Sequence, residues 1–141
     1  MTEDRLARVE AHIAIADLVH GYAKAVRREV YEEIEALFVP SGTFEVRAGA
    51  PDRVEYTVRQ RFDAPGALVT FLVSGKGKPH PVPLIHNLMI EVTGETARAN
   101  ALMVASITGS DKTVTGEYHD SFVRLDGRWL FEARIYTVFA S

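Results

Sequence analysis

The sequence contains no cysteine, which removes disulfides, thiolate metal sites and thiol nucleophiles together and fits a reducing compartment such as the cytoplasm. Long apolar runs are also missing. No stretch approaches the roughly 20 apolar residues of a membrane span, and the opening ten residues are charged rather than greasy. A cytoplasmic protein with no membrane partner is therefore expected. Basic excess is absent as well: 16 Lys and Arg against 19 Asp and Glu leave a formal net charge of -3, without the field that holds a phosphate backbone. Nucleic acid is not an expected partner. The five histidines never stand at i, i+2 or i, i+4, and no acid-rich loop accompanies them, so no metal site is expected. A glycine-rich phosphate loop and a serine elbow are both lacking, which argues against nucleotide cofactors and triad hydrolysis.

What is present describes one ordinary globular unit. The chain has 141 residues, 47% hydrophobic and 25% charged, enough to bury a core and too few for two domains, so a single domain over 1–141 is expected. Ile15, Leu18, Val19, Tyr22 and Val26 recur at the spacing of one helical stripe, with Thr2 and Asp4 as capping residues. Val30, Ile34, Leu37 and Phe38 form the face of a shorter second helix that Pro40 and Gly42 terminate. Thr43 to Arg47 and Arg53 to Arg59 read as a strand pair around the Gly49-Ala50-Pro51-Asp52 turn. Ala64 to Val73 follows Asp63 and contains Pro65 near its start, and is expected to be a third helix. Ser74 to Pro83, with two glycines and three prolines, is a long loop of the kind that borders sites.

The rest is strand: Leu84 to Val92, Thr96 to Thr108, Thr113 to Leu125 and Trp129 to Phe139, divided by short turns that force antiparallel neighbours. Helices first and a meander last predict a segregated α+β fold. Strands of this length must twist and curl, which gives a curled antiparallel sheet wrapped around about three N-terminal helices.

Three segments carry a family resemblance: Ile15-Ala-Asp-Leu-Val-His-Gly-Tyr22 through Glu35-Ala-Leu-Phe38, His86-Asn-Leu-Met-Ile-Glu-Val-Thr-Gly-Glu-Thr-Ala97, and Gly116-Glu-Tyr-His-Asp-Ser-Phe-Val-Arg-Leu-Asp-Gly-Arg-Trp129. Over nearly the whole chain the sequence resembles the SnoaL-like branch of the nuclear transport factor 2-like superfamily, which includes scytalone dehydratase and lindane dehydrochlorinase. The resemblance implies a cone-shaped fold with an internal pocket for a small-molecule ligand, a homodimer, and a lyase, isomerase or cyclase that uses no cofactor. In those two enzymes an aspartate at the end of the first helix orients a proton-abstracting histidine. Here Arg27 falls at the aspartate position and Pro83 at the histidine position, and neither side chain can serve as a base. A shift of three residues in the loop brings His80 or His86 to the histidine position.

Two functions are expected from these residues. One is a cofactor-free lyase or isomerase acting by proton transfer on a small apolar or aromatic molecule. The alternative is a binding domain that has lost the family pair. For the enzyme, His86 and Asp120 are candidate bases, and Tyr22 or Arg27 would steady a developing oxyanion. Tyr22 on its buried stripe has packing as the plainer role, and Arg27 has solvation at a helix end. His86 and Asn87 point to opposite faces unless a bulge intervenes, so at most one borders a pocket. His80, between Pro79 and Pro81, reads as an exposed loop residue. Tyr118, Asp120, Phe122 and Arg124 share one strand face, which the resemblance turns toward the pocket, with Asp120 and Arg124 as an ion pair. Tyr118, Phe122, Asn87 and Arg124 join Arg27 as candidate substrate-binding groups. Glu132 and Arg134 read as a pair at the surface or an interface.

Overall fold

The protein is described from a computed structural model, over residues 2–139. Its first helix, α1, runs from Glu3 to Arg28 and is bounded at both ends by local chemistry. The Thr2 hydroxyl accepts from the Arg5 amide at 3.3 Å, and Glu3 and Asp4 sit where the helix dipole favours negative charge. At the far end Glu29 turns left-handed, φ 56°, and returns its N–H to the Ala25 and Val26 carbonyls. The expected stripe is buried, and Ile15 and Val19 are fully enclosed.

The second helix takes a different form. Two 3₁₀ turns, Tyr31–Glu33 and Glu35–Leu37, occupy the segment. Tyr31, Ile34 and Leu37 are spaced by three, the period that stacks side chains along a 3₁₀ helix, and Tyr31 and Ile34 are buried. Strand β1, Phe38–Gly49, then starts before the residues expected to stop the helix. Pro40 falls in a gap where pairing with the neighbouring strand shifts between Phe38 and Thr43, a position where its missing N–H breaks no ladder bond.

Strand β2 (Tyr56–Phe62) begins three residues later than its alternation suggested, because Arg53 to Glu55 extend the turn and leave Val54 exposed. Helix α2 (Pro65–Ser74) is where the sequence placed it, with proline in its first turn. Strands β3 (Pro81–Thr93), β4 (Thr96–Ile107), β5 (Thr113–Leu125) and β6 (Arg128–Phe139) form the expected meander, although β3 takes in Pro81 to Pro83, which were expected to belong to the loop.

The six strands make one curled, unclosed sheet in the order β2-β1-β6-β5-β4-β3. It is antiparallel at every junction but one: β1 pairs with β6 in parallel, so the sheet is mixed. The chain leaves β1 and returns to its side only after four further strands, and that long excursion is what permits a parallel pairing. On β4 the inward positions are Ala97, Ala99, Ala101, Met103 and Ala105, all buried, and α1 packs along the adjoining β3. The fold is α+β, with the helices gathered on the concave face.

Candidate functional site

Tyr22 on α1 and Tyr118 on β5 approach each other from opposite sides of the core, with ring centroids 6.5 Å apart. Tyr22 stacks on Phe44 of β1, and Tyr118 packs on Tyr136 of β6. These aromatics form the floor of a cavity of about 520 Å³. Val46, Phe62, Leu68, Leu72, Met103 and Val114 supply apolar walls, and the lip is built from Ser74 to Pro81. A volume in this range suits a small organic molecule.

The polar groups in the wall are chiefly tyrosine hydroxyls. Burial pushes the Tyr22 and Tyr118 phenols well above the usual range, with the Arg134 cation pulling the other way, and it raises Tyr136 likewise. These hydroxyls therefore stay protonated at any physiological pH. Tyr31 is raised too, by burial first and then by the Glu29 carboxylate. That same Glu29 sits behind His80 at the lip.

His80 lies in the cavity wall, with its side chain 16% exposed. Nε2 is 3.2 Å from the Arg27 carbonyl, Nδ1 is 3.1 Å from the Lys78 carbonyl, and the Thr108 hydroxyl is 3.3 Å from Nδ1. A Glu29 carboxylate oxygen stands 3.7 Å from Nδ1 and accepts from the Gly77 amide at 2.8 Å. The lip is thus tied to the end of α1 by one imidazole and one carboxylate. The reading of His80 as an exposed loop residue is corrected: His80 pairs its own N–H and C=O with Thr108, which turns its ring inward. Its flanking prolines are the available signal, since they restrict the backbone around it.

Beneath the two tyrosines lies a buried ion pair. Arg134 is wholly inaccessible; its Nε donates to Asp120 at 2.9 Å and Nη2 to the other carboxylate oxygen at 3.4 Å. Its guanidinium carbon is 3.6 Å from the centre of the Tyr118 ring, 4.6 Å from Tyr22 and 4.7 Å from Phe131. Nη1 has no hydrogen-bond partner among the described residues, and the π faces around the cation partly compensate. Burial pushes the Asp120 carboxyl up, against the pull of Arg134. Burial works against the charge on Arg134, but Asp120, Tyr118 and Tyr22 acting together raise it above its ordinary value.

The sequence placed Arg134 on the outside with Glu132. The correction comes from a register shift: Phe131 pairs with Phe122 and Ala133 with Ser121, so Glu132 is an extra residue that reverses the facing of Ala133, Arg134 and the remainder of β6. Asp120 consequently meets Arg134 directly across the ladder. Arg124, expected to pair with Asp120, is exposed at the strand end and lies 3.7 Å from Glu95. Four residues along a strand span about 13 Å, too far for the expected contact.

Of the other candidates, Phe122 is buried against Phe131 beneath the floor, outside the cavity lining. His86 pairs with Leu102 on the outer face and is exposed. Asn87 occupies a bulge between His86 and Met89 at φ 52°, also exposed. Arg27 is exposed and offers the site its carbonyl, to His80, rather than its guanidinium. Pro83 does border the cavity. The structure therefore brings Tyr22 and Tyr118 to the cavity, with Asp120 behind them. His86, Asn87, Arg27, Phe122 and Arg124 are elsewhere.

This helix-backed open sheet, with its cavity between α1, α2 and the strands, coincides with a family model described as a SnoaL-like domain over residues 7–135. The chain belongs to the SnoaL-like family. Among solved structures, a protein from Novosphingobium aromaticivorans provisionally assigned as the beta subunit of an aromatic-ring-hydroxylating dioxygenase superposes with a TM-score of 0.79. It is 24% identical, and the match covers 96% of this chain and 93% of that one. A provisionally assigned scytalone dehydratase from the same organism gives a TM-score of 0.69 at 23% identity, covering 98% and 88%. A hexachlorocyclohexane dehydrochlorinase gives 0.72 at 14% identity, covering 95% and 88%. At these identities the likeness is one of fold. A search of curated proteins returns no match. No helix among the described residues of this SnoaL-like chain is long and apolar enough to cross a membrane.

Proposed function

We propose that this SnoaL-like protein is a cofactor-free lyase or isomerase that moves a proton on a small, apolar or aromatic molecule bearing a carbonyl or phenolic oxygen. The observation that carries the reading is His80: an imidazole in the wall of a mostly apolar cavity, beside the Glu29 carboxylate. An imidazole can accept a proton at one ring nitrogen while the other is held, and the Lys78 carbonyl and Glu29 carboxylate beside Nδ1 orient this ring. A substrate atom reaches Nε2 by replacing the Arg27 carbonyl. The Tyr22 and Tyr118 phenols, held protonated, then donate to the oxygen on which negative charge develops. His86 and Asp120 play no direct part in this scheme, the first for its position and the second because Arg134 occupies its carboxylate.

Deuterium wash-in tests the proposal. Incubated in D₂O with 1-indanone, 2-tetralone and 2-cyclohexenone, the protein should exchange protons next to the carbonyl of at least one of them at about tenfold or more over buffer, read by proton NMR. His80→Gln should abolish the exchange, Glu29→Gln should reduce it, and His86→Gln should leave it intact. Exchange that persists in His80→Gln refutes the assignment. The second reading is a binding domain, favoured by one specific contact pattern: both ring nitrogens of His80 already face backbone carbonyls. Compounds that raise the melting temperature without any exchange would support it.

A further inference from the structure

Charge is distributed unevenly around the cavity. Among the described residues no aspartate or glutamate lines it, and Lys78 on the lip is its one lysine or arginine. Two carboxylates next to lining residues are already engaged. Glu29, beside His80, accepts from the Gly77 amide at 2.8 Å, and Glu45, before Val46 on β1, is paired with Arg47 and Arg61. Lys78 forms no ion pair among the described residues, so its charge is free for a ligand.

Backbone contacts fix where this lysine stands. Its N–H donates to the Gly75 carbonyl at 3.1 Å, and its own carbonyl lies 3.1 Å from His80 Nδ1. The preceding Gly77 takes φ 87°, where a side chain would be strained. The Lys78 side chain is exposed, as is that of Gln60 on β2, which borders the same cavity. Lys76, two residues earlier, is also exposed and does not border it. A lysine that merely kept this proline-rich loop in water would serve at either position, but the one at 78 stands on the rim.

We propose that the molecule this cavity takes up is an organic acid: a small ring compound with a carbonyl or phenolic oxygen at one end and a carboxylate at the other, the carboxylate resting on Lys78 at the lip. The inference rests on the reading of the cavity given above and adds the ligand's charge. A carboxylate carried to the tyrosine floor would lose its water without gaining a partner, a heavy cost. At the lip it keeps part of its hydration and meets a cation of opposite sign, with the Gln60 amide on the same rim as a neutral donor. Anchoring the charged end outside also orients the rest. The far end of the ring points inward to Tyr22 and Tyr118, and the atoms between pass His80 in the wall. Recognition charge and imidazole thus stand two residues apart on one short segment.

Calorimetric binding of 1-oxoindane-5-carboxylate, compared with its neutral carboxamide, tests the proposal. The wild type should bind the carboxylate about fivefold more tightly, and the advantage should shrink as salt is raised. Lys78→Gln should bind the two alike, and Lys78→Glu should prefer the carboxamide. Lys76→Gln should keep the wild-type preference, which separates a contact on the rim from the general field of the loop. Placing the acid next to the carbonyl, in 1-oxoindane-7-carboxylate, should remove the advantage, since the two groups then cannot occupy lip and floor together. No binding of the 5-carboxylate up to about 5 millimolar, equal affinity for acid and amide, or a preference that survives Lys78→Gln overturns the proposal. Proton transfer is judged separately. A protein that prefers the acid but exchanges no deuterium loses the catalytic reading and keeps this one, and exchange on neutral ketones without the preference does the reverse. Circular dichroism melts confirm that each variant is folded.

Discussion

Replacing Arg134 by methionine is expected to destabilise the protein by about 3–5 kcal/mol, the cost of leaving a buried carboxylate without its partner. Asp120 is 4% exposed, and among the described residues Arg134 is the one cation within salt-bridge distance of its carboxylate. The three aromatic rings that surround the guanidinium would lose their cation at the same time. The deficit should depend on pH with a definite sign. Without Arg134, burial raises the Asp120 carboxyl above its unfolded value, so the folded state binds more protons than the unfolded one. Stability then falls as pH rises past the unfolded carboxylate range near pH 4 and recovers as pH is lowered. Denaturant titrations between about pH 3.5 and pH 8 check this. A deficit that does not vary with pH would mean that Asp120 had found another partner. Changing both residues, Asp120→Leu with Arg134→Met, should cost less than Arg134→Met alone, because no unpaired charge remains.

Gly116→Ala carries the second large effect. A Cβ at this position would collide with the Thr137 carbonyl and come within 2.5 Å of the Tyr136 ring, so both β6 backbone and ring must move. Overpacking against backbone is expected to cost about 3 kcal/mol or more. The functional consequence is separate. Tyr136 lies across Gly116 to form part of the cavity floor, with its hydroxyl donating to the Met103 carbonyl at 3.4 Å. A displaced ring would enter the cavity and reduce ligand binding even at temperatures where the variant remains folded. Tyr136→Leu combined with Gly116→Ala should recover part of the stability, since the ring is one of the two obstacles, and the Thr137 carbonyl should keep the recovery incomplete. Thermal melts of the single and double variants measure both terms. A single variant as stable as the wild type would show that this part of β6 has room to give.

Most of the fold was readable because its elements repeat on short periods. Alternation along β4 and β5 placed the strands within a residue, and the Ile15 to Val26 stripe placed α1. Where a period was broken, the reading kept to the unbroken pattern and missed. The extra residue at Glu132 reversed Arg134, the turn through Glu55 delayed β2, and a spacing of three made 3₁₀ turns of what was read as a helix. The parallel junction of β1 with β6 lay beyond local reading, because nothing in either strand records its distant neighbour. The site suffered most from this. Tyr22 stood out on its apolar helical stripe and Tyr118 on a strand face that the family resemblance turned inward, but the Asp120–Arg134 contact spans two strands and depends on a bulge. The approach of His80 to Glu29 joins residues that only tertiary packing brings together.

The position of β6 between β1 and β5 also bears on how the chain reaches this fold. The strand translated last of the six is an inner one, so the β1–β2 hairpin has no strand to join it to the meander until β6 has left the ribosome. Phe38 cannot meet Phe131 before nearly the whole domain has been made. Until then the free edge of β1 and the growing meander stay open to chance pairing, and closure of that distant contact sets a slow, late step in folding.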